Sequence, residues 1–156
     1  VSFLLVVGPY YVRAWISALT GFFSWLLGRA VVRPRHAHMN LNELRSYLLA
    51  KKGATEEMPF GPDNWVYKVM GKMFALVPLD AAPLTISLKC EPGQALLLRD
   101  VYPAVRPGYH MNKTHWNTVT LDGSIPDAEV RGMIDDSYDL VVAGLPRAQR
   151  RALAES

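Results

Sequence analysis

From Trp65 to Lys89 the chain is patterned with a period of two and punctuated by turn residues. Trp65, Tyr67 and Val69 interleave with Val66, Lys68 and Met70, and Gly71 then permits a tight turn into a second apolar run, Met73 to Leu79. Asp80-Ala81-Ala82-Pro83 makes the next turn, after which Leu84, Ile86 and Leu88 alternate with Thr85, Ser87 and Lys89. A segment written this way is committed to hairpin-connected antiparallel strands, one face of which needs an apolar cover.

The cover is written on either side. Asn40 with Glu43 three residues on forms a capping box, Leu41, Leu44, Tyr47 and Leu48 recur at helical spacing, and Lys51, Lys52 and Gly53 mark the end. Pro92 opens a short helix through Ala95, Leu96, Leu98 and Arg99 that stops before Tyr102-Pro103. Val105 to His110 and Trp116 to Leu121 read as extended. Ser124 is placed to cap a long helix with Pro126 and Asp127 in its first turn and Val130, Met133, Ile134, Tyr138 and Val141 as its buried stripe. A short basic helix follows Pro146, and Ala54 to Asn64, with Pro59, Gly61 and Pro62, reads as a loop. The order α-β-β-β-α-β-β-α predicts an α+β, two-layer domain in which helices cover one face of an antiparallel sheet.

Charge divides the chain at Met39. The whole sequence of 156 residues has a net charge of +3, yet residues 1–38 hold four of the 17 basic residues (Arg13, Arg29, Arg33 and Arg35) and none of the 14 acidic ones. Residues 39–156 therefore carry 13 basic against 14 acidic groups, so a basic surface there must come from placement. The leader is apolar from Phe3 to Leu27, but Arg13 would cost roughly 2.5 to 3.5 kcal/mol near mid-bilayer. The run after Arg13, Ala14 to Leu27, falls short of the roughly 20 residues of a span. No positive charge precedes the apolar run, which disfavours a signal peptide. The expectation is upstream translation with Met39 as the initiator, in preference to a membrane anchor, and hence no membrane partner unless residues 1–38 are expressed. A single cysteine, Cys90, excludes a disulfide framework and multi-cysteine metal sites and points to a reducing cytoplasm; no cofactor is expected.

Dinucleotide, P-loop and serine-hydrolase motifs are absent from the sequence. The richest polar cluster is Arg106 to Trp116, R-P-G-Y-H-M-N-K-T-H-W. His110 and His115 lack the third and fourth ligands that zinc needs. Asp135 and Asp136, adjacent on a helix, point apart and read as solvated, and Cys90 reads as a small buried thiol. The collective signal is cationic. Lys68, Lys72, Lys89, Arg106, His110, Lys113 and His115 fall on strands or their loops, between apolar residues that face the helices, so they are placed to share the open sheet face as a strip suited to a phosphate backbone. Asn112 and Trp116 join them as hydrogen-bonding and stacking candidates. The competing structural reading makes Asn112 the holder of a β-turn and packs Trp116 against a helix.

Many of these residues also carry a resemblance. Pro59-Phe60-Gly61-Pro62, Val66-Tyr67-Lys68-Val69, Gly71-Lys72-Met73-Phe74-Ala75-Leu76 and Leu88-Lys89-Cys90 resemble the MmcQ/YjbR family. So do Val105 to Lys113, His115 to Val119, Leu121-Asp122-Gly123, Pro126-Asp127, Ile134-Asp135, Ser137-Tyr138 and Leu145-Pro146, so that the match runs from about Met39 to Leu153. The resemblance implies a compact α+β, YjbR-like domain related to the CyaY-like and secretion-chaperone-like folds, and a DNA-binding protein without enzymatic activity. A protein-interaction or chaperone-like module is the alternative. An enzyme acting on an anionic small molecule through Arg106 and His110 comes third.

Overall fold

The computed structural model describes residues 39–156; the leader, and with it the expectation of upstream translation or an anchor, lies outside the described residues. The first helix, α1 (Leu41–Leu49), begins as its sequence dictates: Glu43 N–H donates to Asn40 Oδ1 and Asn40 N–H donates to Glu43 Oε2, both at 3.0 Å. Leu44 and Leu48 are its fully buried positions. Lys51 and Lys52 lie just beyond the helix, which ends at Leu49. Gly53 then takes a φ of +65°, which glycine adopts without strain, and its missing side chain leaves room for Leu153 Cδ1, which would lie 2.5 Å from a Cβ there.

The expected loop over residues 54–64 is wrong in its first half. Ala54–Glu57 is a strand, β1, which pairs antiparallel with β2 (Asn64–Val69) from Ala54 opposite Val69 to Glu57 opposite Val66. It carries no apolar alternation because it is the sheet edge, where charged side chains are tolerated and discourage further pairing. Pro59, Gly61 and Pro62 mark only the connection after it.

β3 (Lys72–Pro78), β4 (Thr85–Lys89), β5 (Val105–Pro107) and β6 (Trp116–Thr120) complete a six-stranded antiparallel sheet, in the order β1-β2-β3-β4-β6-β5. α2 (Pro92–Val101) links β4 to β5, while α3 (Asp127–Ala143) and α4 (Arg147–Glu155) close the described chain. The domain is α+β, as expected, with one strand more than the sequence pattern announced. α3 lies on β3 and β4, where Val130, Met133, Ile134 and Val141 meet Ala75, Val77, Ile86 and Leu88 in a single apolar core. Ser124 does not cap α3. Its N–H and hydroxyl both turn to Asp122 Oδ1, at 2.9 and 2.5 Å, and the helix starts after Pro126 without a side-chain cap.

Two polar devices hold this architecture together. Pairing of β2 with β3 shifts register between Tyr67 and Lys68, so that Tyr67 faces Ala75, Lys68 faces Met73, and Phe74 is left over as a bulge. The buried hydroxyl of Ser137 on α3 closes the gap this opens: it donates to the Phe74 carbonyl at 2.5 Å and accepts the Lys89 N–H at 2.8 Å.

The second device ties β1 to the core. The Tyr67 hydroxyl, on a fully buried side chain, donates to Glu56 Oε2 at 2.8 Å, and Arg45 donates to both Glu56 oxygens at 2.9 Å while lying 5.1 Å from the Trp65 ring centre. The Arg45 hydrogen bond holds the Glu56 carboxyl below its ordinary 4.5, against a burial that opposes ionisation. A depressed carboxylate adds stability above its unfolded pKa and loses it as pH falls through the folded value. Stability should therefore decline below about pH 4.5, and Glu56→Gln should be less stable at pH 7 with a flatter acid limb, as read by urea unfolding from pH 7 to pH 3. An unchanged acid limb in the variant would show that Glu56 is not the titrating group.

Candidate functional site

The register determines which side chains share the face turned away from the helices. Ile86, Leu88 and Val119 point into the core, so their neighbours Thr85, Ser87 and Lys89 on β4, opposite Thr120, Thr118 and Trp116 on β6, point the other way. Arg106 on β5 lies opposite Thr118 and joins them. Lys89, Trp116, Thr118 and Arg106 thus form adjoining positions over three neighbouring strands. The Ser87 and Thr118 hydroxyls hydrogen-bond at 2.9 Å beneath them.

The remaining candidates divide. Lys68 is on the same face but lies on β2, and its Nζ is engaged by Glu57 Oε2 at 2.5 Å. Lys72 does not belong to this face: it opposes Val69, a core residue, and is exposed only because it begins β3 at the turn. The single continuous strip expected from the sequence is therefore shorter than expected. The bulge at Phe74 shifts the parity of β3, and a carboxylate of the unanticipated β1 takes Lys68.

His110, Asn112, Lys113 and His115 occupy the loop from Gly108 to His115 that joins β5 to β6, and all four are exposed. This loop is tied down at every turn. Gly108 N–H donates to the Trp116 carbonyl at 2.8 Å, and a Cβ on Gly108 would approach Trp116 Cβ to 2.7 Å, a crossing that only glycine allows. Tyr109 N–H donates to Thr118 Oγ1 at 3.1 Å, and Cys90 N–H donates to the His115 carbonyl at 2.7 Å, which carries the β4–β6 pairing one residue further. Asn112 Oδ1 accepts the Thr114 N–H at 2.9 Å, so the turn held by the asparagine is present. Trp116 departs from the structural reading made for it, being half-buried opposite Lys89 on the face away from the helices.

Sequence reasoning missed the residue that organises this loop. Arg99, in the last turn of α2, donates from Nε to Asn117 Oδ1 at 2.7 Å, and from Nη2 to the Lys113 carbonyl and to the Trp116 carbonyl at 3.2 Å. Asn117 is buried and donates in turn to the Ala95 carbonyl at 3.3 Å. No local pattern links residue 99 to residues 113–117, because the fork acts across the sheet edge. Tyr109, in the polar cluster but not among the candidate contact residues, is 75% exposed, with its ring 4.0 Å from that of His110.

The site's cations take no part in the domain's ion pairs. Among the described residues, ion pairs employ Arg45, Lys51, Lys68 and Arg151, whereas Arg106 and Lys113 have no acidic partner. Asp135 is not simply solvated, since it holds Lys51 at 2.5 Å and the Tyr47 hydroxyl at 2.7 Å. Cys90 lies behind the site in a crevice with Gln94, Asn117 and Asp136 that has room for about one water. Burial, then the Asp136 and Glu91 carboxylates, push its thiol up to about 11, so it is protonated at neutral pH. Among the described residues no three histidine, cysteine or carboxylate side chains converge as metal ligands would, and no helix is long and apolar enough to cross a membrane.

Sequence and fold comparisons agree with this architecture. The YjbR protein of Escherichia coli K12, whose function is unassigned, is 38% identical over 117 residues, covering 75% of this chain and 99% of its own. YbdF of Escherichia coli O157:H7 is 44% identical over 94 residues, covering 60% of this chain and 76% of that one. Among solved structures, Deinococcus radiodurans protein DR2400, which carries a DUF419 domain, superposes with a TM-score of 0.70 at 36% identity, covering 75% of this chain and 89% of its own. A Pseudomonas syringae protein superposes with a TM-score of 0.58 at 30% identity, covering 65% and 98%. The YjbR family model matches residues 49–140, from the end of α1 into α3, and by that match and these relatives the chain belongs to the YjbR family.

Proposed function

We propose that this chain is a non-enzymatic, cytoplasmic DNA-binding protein that grips phosphates at the β5–β6 end of its sheet. The observation that carries the reading is the grouping of two cations without a carboxylate partner on one braced hairpin. Arg45, Lys51 and Lys68 are committed to carboxylates, while Arg106 and Lys113 are held unpaired on a braced hairpin beside Trp116. Lys89 adjoins them by its register with Trp116. Cations left without counter-charge in a domain with as many acids as bases are the groups that a polyanion would satisfy. His110 and His115 add exposed hydrogen-bonding groups, and the lone buried thiol of Cys90 suits a reducing compartment.

The test is a salt titration of binding to short duplex and single-stranded DNA by the full chain. Affinity should fall linearly on a log–log plot, and Lys113→Ala should reduce the slope by about one. Lys68→Ala should change it far less, because Glu57 already neutralises that ammonium. Arginines of the leader contribute equally to every variant, so the differences isolate the domain. No binding to either form at low salt would refute the reading, and retention of a protein partner insensitive to salt would favour an interaction module instead.

A further inference from the structure

We propose that the β5–β6 loop is built to stack an unpaired base on Tyr109, so that the site takes single-stranded rather than duplex DNA. This rests on the nucleic-acid reading above and deepens it. Tyr109 is 75% exposed, the highest exposure of any large apolar side chain among the described residues. One side of its ring is backed by the His110 imidazole, with ring centres 4.0 Å apart and planes tilted by 59°. His110 achieves this with a φ of +54°, in the left-handed region where a non-glycine residue is strained.

The strain is held by bonds on both sides of it. Tyr109 N–H is anchored on Thr118 Oγ1 at 3.1 Å, Met111 N–H returns to the Gly108 carbonyl at 3.4 Å, and the Asn112 turn closes the far end. A hydrophobic ring so exposed contributes nothing to the core. It presents an outward π face on a braced backbone, three residues after Arg106 and four before Lys113, neither of which has an acidic partner among the described residues. That combination of an exposed aromatic with basic residues on the same hairpin is what single-strand binders use, since every base has a π face but only an unpaired one can leave its neighbours to meet the ring. A duplex would offer this site phosphates alone, and a domain with 13 basic and 14 acidic groups is poorly supplied for that mode.

The experiment compares the full chain's affinity for three fluorescently labelled probes: an oligodeoxythymidine of about 12 nucleotides, an abasic strand of the same length, and a duplex of that length. The expected order is oligodeoxythymidine tightest, with the abasic strand and the duplex weaker. Tyr109→Ala should weaken oligodeoxythymidine binding by about 5-fold to 100-fold, to the level of the abasic strand, without altering the salt slope. Tyr109→Phe should keep the preference, because it keeps the ring. Equal affinity for the normal and abasic strands, a preference that survives Tyr109→Ala, or tighter binding to the duplex would each overturn the stacking role while leaving phosphate binding intact. Failure of all three probes to bind at low salt would overturn both.

Discussion

Ser137→Ala is expected to lower the unfolding free energy by about 2 kcal/mol, a large effect for the loss of one oxygen atom. The hydroxyl is fully buried and serves two backbone groups on different strands, the Phe74 carbonyl at 2.5 Å and the Lys89 N–H at 2.8 Å. The two strands cannot serve each other: β3 and β4 pair only through Ala75 opposite Leu88 and Leu76 opposite Ser87, and the bulge takes Phe74 out of line. Alanine would leave both groups desolvated and unpaired, at about 1 to 3 kcal/mol each before relaxation, offset by about 0.5 kcal/mol from its better helix propensity. Urea unfolding should show a lower midpoint at an unchanged slope, and the Lys89 amide should exchange with solvent faster than in the parent. A loss under about 0.5 kcal/mol with Lys89 protection unchanged would mean that the strands re-pair without help.

The same hydroxyl marks where sequence reading stops. The alternation of Trp65, Tyr67 and Val69 and of Ile86 and Leu88 declares the hairpins, because the period of two is local and one face is buried. Asn40 with Glu43 likewise declares the start of α1, since capping-box partners lie three residues apart. β1 is silent by comparison: Ala54-Thr55-Glu56-Glu57 becomes a strand only when β2 offers its edge and when Arg45 and Tyr67 receive Glu56, 11 residues from each. Ser137 is equally silent, its partners lying 63 and 48 residues away. At the site, the cluster from Arg106 to Trp116 was visible as a run of polar and basic residues, and the register places its strand members on one face. Its splitting from Lys68 and Lys72 was not visible, because a bulge reverses the alternation within β3 and the acid that neutralises Lys68 is contributed by a strand with no signature of its own. The family resemblance anticipated the sheet and its helices but could not place a single cation relative to another.

Arg99 joins fold to site, and Arg99→Met should damage both. Methionine retains the apolar stem but removes the fork that reaches Asn117 Oδ1 at 2.7 Å, the Lys113 carbonyl, and the Trp116 carbonyl at 3.2 Å. Hydrogen bonds from a charged donor are worth about 1.5 to 3 kcal/mol each when shielded, and this guanidinium is only half-buried, so a stability loss of about 2 kcal/mol is expected in total. Arg99→Lys should not rescue it, since one ammonium cannot present the planar fork that spans three oxygens on two sides of the loop. The functional readout separates positioning from contact. If Arg99 holds the loop, affinity for DNA should fall while the salt slope stays that of the parent, and the amides of residues 113–116 should exchange faster. Were Arg99 itself a phosphate ligand, the slope would drop by about one with loop protection unchanged. The first outcome is the one the geometry requires, because all the donors of Arg99 that have partners are turned inward onto the chain, and what they hold outward is Lys113.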